Sequence, residues 1–234
     1  MYVIIYGIAA IIILGMILGI FPGLFAFFAA VLAVGLSVLI IMRNNNIKKQ
    51  NTPDYDENAL IIQNVKAGGI IKLAYLDGHE GEISLKVQSR NLYTEGDFYW
   101  YELECINNEG EKIWIDVEDD DKLTVSAVIT KPAASELVFA DSLKNIDENE
   151  RGKVYYKNKY YAYKDSGEAI FYKHCDDRKK ERLYYWDFRN GNYMISVEEW
   201  ANDNGKKDME YYYSQILPPS SITVYSINGG TKNE

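Results

Sequence analysis

The sequence predicts a membrane-anchored, mainly β protein of the α+β class, and three observations carry that reading. Residues 1–42 contain no charged side chain. Arg43, Lys48 and Lys49 then arrive together. The remainder is built of short segments rich in β-branched and aromatic residues, separated by Gly, Asn and Asp, which is the pattern of strands and turns.

The first element is read as a transmembrane helical hairpin over residues 1–42. Tyr2–Ile20 and Leu24–Met42 are apolar throughout, and about 19 residues of helix span roughly 28 Å, close to a hydrocarbon core of about 30 Å. Phe21-Pro22-Gly23 supplies a turn between them, because Pro removes a backbone donor and Gly tolerates unusual dihedrals. An uncharged start and a second apolar run argue against a cleaved signal peptide. Basic residues after the second run place that end in the cytoplasm, giving two spans in the cell inner or plasma membrane. Gly15 and Gly19 on the first helix, with Ala26, Ala30, Ala33 and Ser37 on the second, form small faces suited to close helix packing. That packing lies within the hairpin or, alternatively, between copies in a homo-oligomer.

Residues 43–60 read as a linker, 61–227 as a cytoplasmic antiparallel β-rich domain and 228–234 as a tail. The net charge of −9 belongs to the part after residue 42 and argues against nucleic acid, which requires clustered Lys and Arg. Strands are expected over 70–76, 82–93, 98–106, 112–118, 123–129, 153–164, 169–173, 182–189, 211–217 and 222–227. Helices are expected at Ser135–Asn145 and from Ser196, where Ser196-x-x-Glu199 has capping-box spacing.

The hairpin at 98–118 can be placed in register. Tyr99, Tyr101, Leu103 and Cys105 share one face; Ile113, Ile115 and Val117 share one on the next strand. Pairing 105 with 113, 103 with 115 and 101 with 117 puts the apolar sets together, and a one-residue slip would turn one of them outward, so the pattern selects this pairing or one slipped by two. Cys105 is then a core residue.

The other face carries Trp100, Glu102 and Glu104 beside Trp114, Asp116 and Glu118, with Glu102 opposite Asp116. Like charges directly opposed are destabilising. This face therefore reads either as a solvated outer surface or as a binding site for a small cationic ligand or a basic partner segment, with Trp contributing cation–π attraction. No metal site is assigned. Glu118-Asp-Asp-Asp121 lacks EF-hand spacing, and His174-Cys175-Asp176-Asp177 has no second ligand cluster. No cofactor motif occurs, nor any nucleophile elbow, phosphate loop or His-Glu-x-x-His. Binding, as an adaptor or sensor recruiting a partner protein or cation at the membrane face, is the expected role. The alternatives are a carboxylate enzyme or a structural subunit of a membrane complex.

Tyr99-Trp100-Tyr101-Glu102 followed by Trp114–Asp119 is echoed by Tyr185-Trp186-Asp187-Phe188 followed by Ile195–Trp200. Two related β halves, 61–131 and 150–227, or chance likeness of short strands, both account for this. Together with Gly152–Tyr161, these segments resemble the bacterial family known as domain of unknown function 4178. The resemblance covers most of residues 61–227. It implies a bacterial β-rich domain and assigns no catalytic or binding residue.

Overall fold

The computed structural model describes residues 56–201 and 207–229. Its strands are β1 (Ile70–Leu73), β2 (Ile83–Glu95), β3 (Phe98–Asn107), β4 (Lys112–Asp119), β5 (Leu123–Thr130), β6 (Val138–Phe139), β7 (Lys153–Tyr156), β8 (Lys159–Tyr172), β9 (Lys180–Asn190), β10 (Tyr193–Ala201), β11 (Lys207–Leu217) and β12 (Ile222–Ser226). One short α-helix, α1 (Leu143–Asn149), lies between β6 and β7.

All twelve strands belong to one sheet, and every pairing between them is antiparallel. β2 to β5 form one meander and β8 to β11 another. The meanders join twice, β5 to β11 and β2 to β8. Those two seams close an eight-stranded barrel, a size whose interior is either filled by side chains or holds one small ligand. β1 and β12 extend the sheet from the first half of β2, while β6 and β7 extend it from β8.

The expected fold class is corrected by this architecture. The described residues form a large antiparallel sheet with a single α-helix, and among them no helix is long and apolar enough to cross a membrane. The expected transmembrane hairpin, its helix-packing residues Gly15, Gly19, Ala26, Ala30, Ala33 and Ser37, and most of the linker lie outside the described residues. Strands of segments 61–131 and 150–227 share this sheet: β2 to β5 and β8 to β11 are two arcs of the closed wall, while β12 pairs with β1 outside it.

Two expected helices are also replaced. Ser196-Val-Glu-Glu199 is strand, because Ile195 and Val197 are fully buried while Ser196 and Glu198 take the other face. A period-2 alternation inside a sheet overrides a capping signature. In 135–145, the β-favouring Val138-Phe139 pairs with Val154 and Tyr155 of β7. The helix starts later, where the Ser142 hydroxyl accepts from Asn145 N–H, and ends at Glu150 in the left-handed region at φ 48°.

Apolar side chains pack on the face of the wall opposite the lumen. On the first meander Leu103, Cys105, Ile115, Val125 and Ala127 are buried with Ile62 and Val65 from the segment preceding β1. On the second, Phe188, Ile195 and Val197 pack with Ile146 of α1, Val154 and Tyr161. Two bulges decide which residues turn inward. One, between Val87 and Ser89, switches β2 from core to lumen; the other, between Tyr163 and Asp165, does the same for β8. A bulge inserts one residue and so flips the alternation beyond it.

Candidate functional site

The predicted register of the 98–118 hairpin is the observed one: Cys105 faces Ile113, Leu103 Ile115, Tyr101 Val117, Glu102 Asp116 and Trp100 Glu118. Its turn is tied by Asn107 Oδ1, which accepts from the N–H groups of Glu109 and Glu111, and Gly110 takes φ 84°. With the apolar face buried outside the barrel, the acidic–aromatic face turns inward. It is therefore not a solvated outer surface.

The lumen holds a cavity of ≈ 570 Å³, within the range of about 300–1,000 Å³ typical of small-molecule sites. Of the six candidate residues, Trp100, Glu102, Asp116 and Glu118 line it. Glu104 and Trp114 sit beyond its lining. Glu104 pairs with Lys112 at 2.8 Å, and the Trp114 ring carries the Lys131 ammonium 4.5 Å from its centroid.

The site is completed by residues the sequence does not single out: Tyr93 from β2, beside Trp100, and, on the opposite wall, Tyr185 and Asp187 from β9, Ser196 and Glu198 from β10 and Tyr212 from β11. One signal for them was present. Trp100-x-Glu102 on β3 and Tyr185-x-Asp187 on β9 carry the same aromatic–acid alternation. Trp100 pairs with Glu118 and Tyr185 with Glu198, so each meander sets an aromatic ring across from a glutamate.

The aromatic part is packed in a defined way. Tyr93 and Trp100 stack at 5.0 Å, and Trp100 meets Tyr185 edge-on at 6.0 Å. The Tyr185 hydroxyl donates to Glu95 Oε2 at 2.7 Å. Gly167, across from Tyr185, leaves the room this needs, since a Cβ there would collide with Glu95 Oε1.

The carboxyl groups are unequally satisfied. Asn91 Nδ2 donates to Glu102 Oε1 at 2.8 Å, and Ser126 Oγ donates to Asp116 Oδ2 at 3.3 Å. Asp187 is hydrogen-bonded by Ser196. Glu198 Oε2 is buried and has no hydrogen-bond partner among the described residues.

Enclosure raises the pKa of every one of these groups. The cavity leaves each some accessible surface, yet protein surrounds Glu102, Asp116, Asp187 and Glu198 on all sides, and loss of solvent is the largest cause. Asp187 is pushed up to about 6, with Asp165 and Glu118 adding to the effect. Asp116 and Glu198 rise well above the carboxylate range, with Glu102 the leading neighbouring charge for both. Burial raises Glu118 as well, against the opposing charge of Lys164.

Among the described residues no group of three or more His, Cys, Asp or Glu is placed to hold a metal ion. Cys105 is buried in the outer core and Cys175 is exposed; both are free thiols. His79 lies in the β1–β2 connection, its Nδ1 3.7 Å from Glu111 Oε2.

A family model described as Domain of unknown function (DUF4178) matches residues 81–219. The chain belongs to that family. Its matched span encloses all eight barrel strands and omits β1 and β12. No curated protein and no solved structure matches the chain.

Proposed function

We propose that this DUF4178 protein is a binding module whose barrel lumen takes a small organic cation. The observation that carries the reading is Glu198 Oε2, a buried carboxyl oxygen without a hydrogen-bond partner at a cavity walled by further carboxyl groups and aromatic rings. A buried, unsatisfied acidic oxygen costs stability that a donor-bearing ligand recovers. An ammonium group supplies several donors and a positive charge, and the faces of Tyr93, Trp100 and Tyr185 attract it further. The volume suits an organic molecule, and the spread of the carboxyl groups around the wall suits one better than a bare ion.

The chain already holds one ammonium in this manner. Lys131 Nζ lies 4.5 Å from the centroids of both Trp114 and Tyr212, with Glu210 Oε2 at 3.5 Å.

The test is calorimetric titration of the full chain with butylammonium, tetramethylammonium, 1,4-diaminobutane and, for comparison, Mg²⁺ and Ca²⁺. Saturable binding of an organic ammonium, weakened at least tenfold in Glu198→Gln, is expected. Absence of binding by all three organic ions sinks the reading.

A further inference from the structure

The acidic groups of the lumen are too many and too enclosed for the cations near them. Glu102 stands directly across from Asp116 on neighbouring strands, and Glu198 faces them from the other wall. Directly opposed residues hold their Cβ atoms about 4.5–5.5 Å apart, and carboxyl groups that close in an enclosed site do not all ionise. The charged groups that act most strongly on this trio are Glu104, Glu118, Asp187 and Glu210, all acidic, and one cation, Lys131, whose ammonium is engaged by Glu210; Lys122 of the β4–β5 turn and Arg189 of β9 also line the cavity, where Arg189 Nε donates to Gly191 O. Lys164 and Asp165 of β8 act further out, on Glu118 and Asp187. The phenols of Tyr93, Tyr185 and Tyr212 stay neutral, since burial raises them too. Protein donors reach only one side of the problem: Asn91 serves Glu102 and Ser126 serves Asp116, leaving Glu198 Oε2 unserved.

Resting on the cation-binding reading above, we propose that the lumen exchanges protons for its ligand: Glu102, Asp116 and Glu198 share protons in the empty barrel and release them to solvent as an ammonium group enters. One ammonium in and one proton out leaves the charge of the lumen unchanged, so the barrel avoids burying uncompensated charge in either state. The ammonium hydrogens take over the positions between carboxyl oxygens that the protons held. Binding then strengthens as pH rises, because the proton that must leave is held less firmly.

The experiment titrates the full chain with butylammonium, which stays charged throughout, in phosphate and in HEPES at pH 7, and again in phosphate at pH 6. The expected result is an enthalpy that differs between the two buffers in proportion to the release of about one proton per ligand, with affinity rising up to tenfold between pH 6 and 7. In Glu198→Gln, checked for an intact thermal transition, proton release should fall together with affinity. Binding with the same enthalpy in both buffers and the same affinity at both pH values overturns the exchange and leaves the cation reading standing. Undiminished proton release in Glu198→Gln also overturns it, since the protons then come from elsewhere. No binding by any organic ion overturns both.

Discussion

In the β2–β5 meander Glu102 and Asp116 each receive a side-chain hydrogen bond from the neighbouring strand, whereas in the β8–β11 meander Asp187 receives one from Ser196 but Glu198 is left with a free buried oxygen. The two arcs otherwise match in plan. Both have four strands, an apolar outer face and an aromatic–glutamate pair turned inward. The difference teaches that a binding wall and an open position can be made from one pattern, by supplying or withholding a neighbouring amide or hydroxyl.

The outer faces offer the strongest way to break the comparison. Phe188 and Ile115 are both fully buried. Phe188→Ala is expected to cost about 3–5 kcal/mol and Ile115→Ala about 2–5 kcal/mol, both read by urea unfolding. A small loss at one position alone would mean that arc does not carry half the core. Next in size is Asn91→Ala. Asn91 serves both Glu102 and the His174 N–H, so its removal leaves part-buried polar groups unpaired and costs about 1–2 kcal/mol. Glu198→Gln, on the other arc, should not destabilise at pH 7.5; a comparable loss there would erase the distinction between the arcs.

The pH dependence sharpens it further. Asp187 and Glu198 have folded-state pKa values above their unfolded ones. Between the two values the folded protein binds more protons than the unfolded chain, so stability falls as pH rises; for Asp187 that window runs from about 4 to about 6. Melting temperatures measured from pH 4 to 8 should show this fall, and Asp187→Asn should flatten its lower part. An unchanged slope in that variant would exclude Asp187 as a source. The smallest effect belongs to Lys131→Gln, whose exposed ion pair with Glu210 contributes less than about 1 kcal/mol and weakens with salt.

The first arc was legible in the sequence because its strands alternate cleanly. Leu103, Cys105, Ile113 and Ile115 limit the register to this pairing or one slipped by two residues, and the observed pairing is the first; four of the six candidate residues line the cavity in consequence. Its direction was not legible. Alternation says which residues share a face, but only closure of the sheet says that the acidic face is enclosed, and closure depends on the bulges at Gln88 and Lys164 and on pairings between distant strands. The second arc was obscured by local signals. Ser196-x-x-Glu199 imitates a helix start, and Lys157-Asn158, both in the left-handed region, make a turn inside what read as one strand over 153–164. The capping pattern thus places Glu198 on a helix, away from the site that the strand gives it.

The seams that close the barrel join residues remote in the chain, Tyr93 to Phe171 and Ser126 to Ile216. Such non-local pairings form late and slow folding, because loop-closure entropy precedes their reward. The cavity does not exist in either arc alone; it appears only when both seams have zipped. Anything that binds there therefore draws on the cooperativity of the whole barrel, and occupancy should slow its opening at the seams as well as raise its melting temperature.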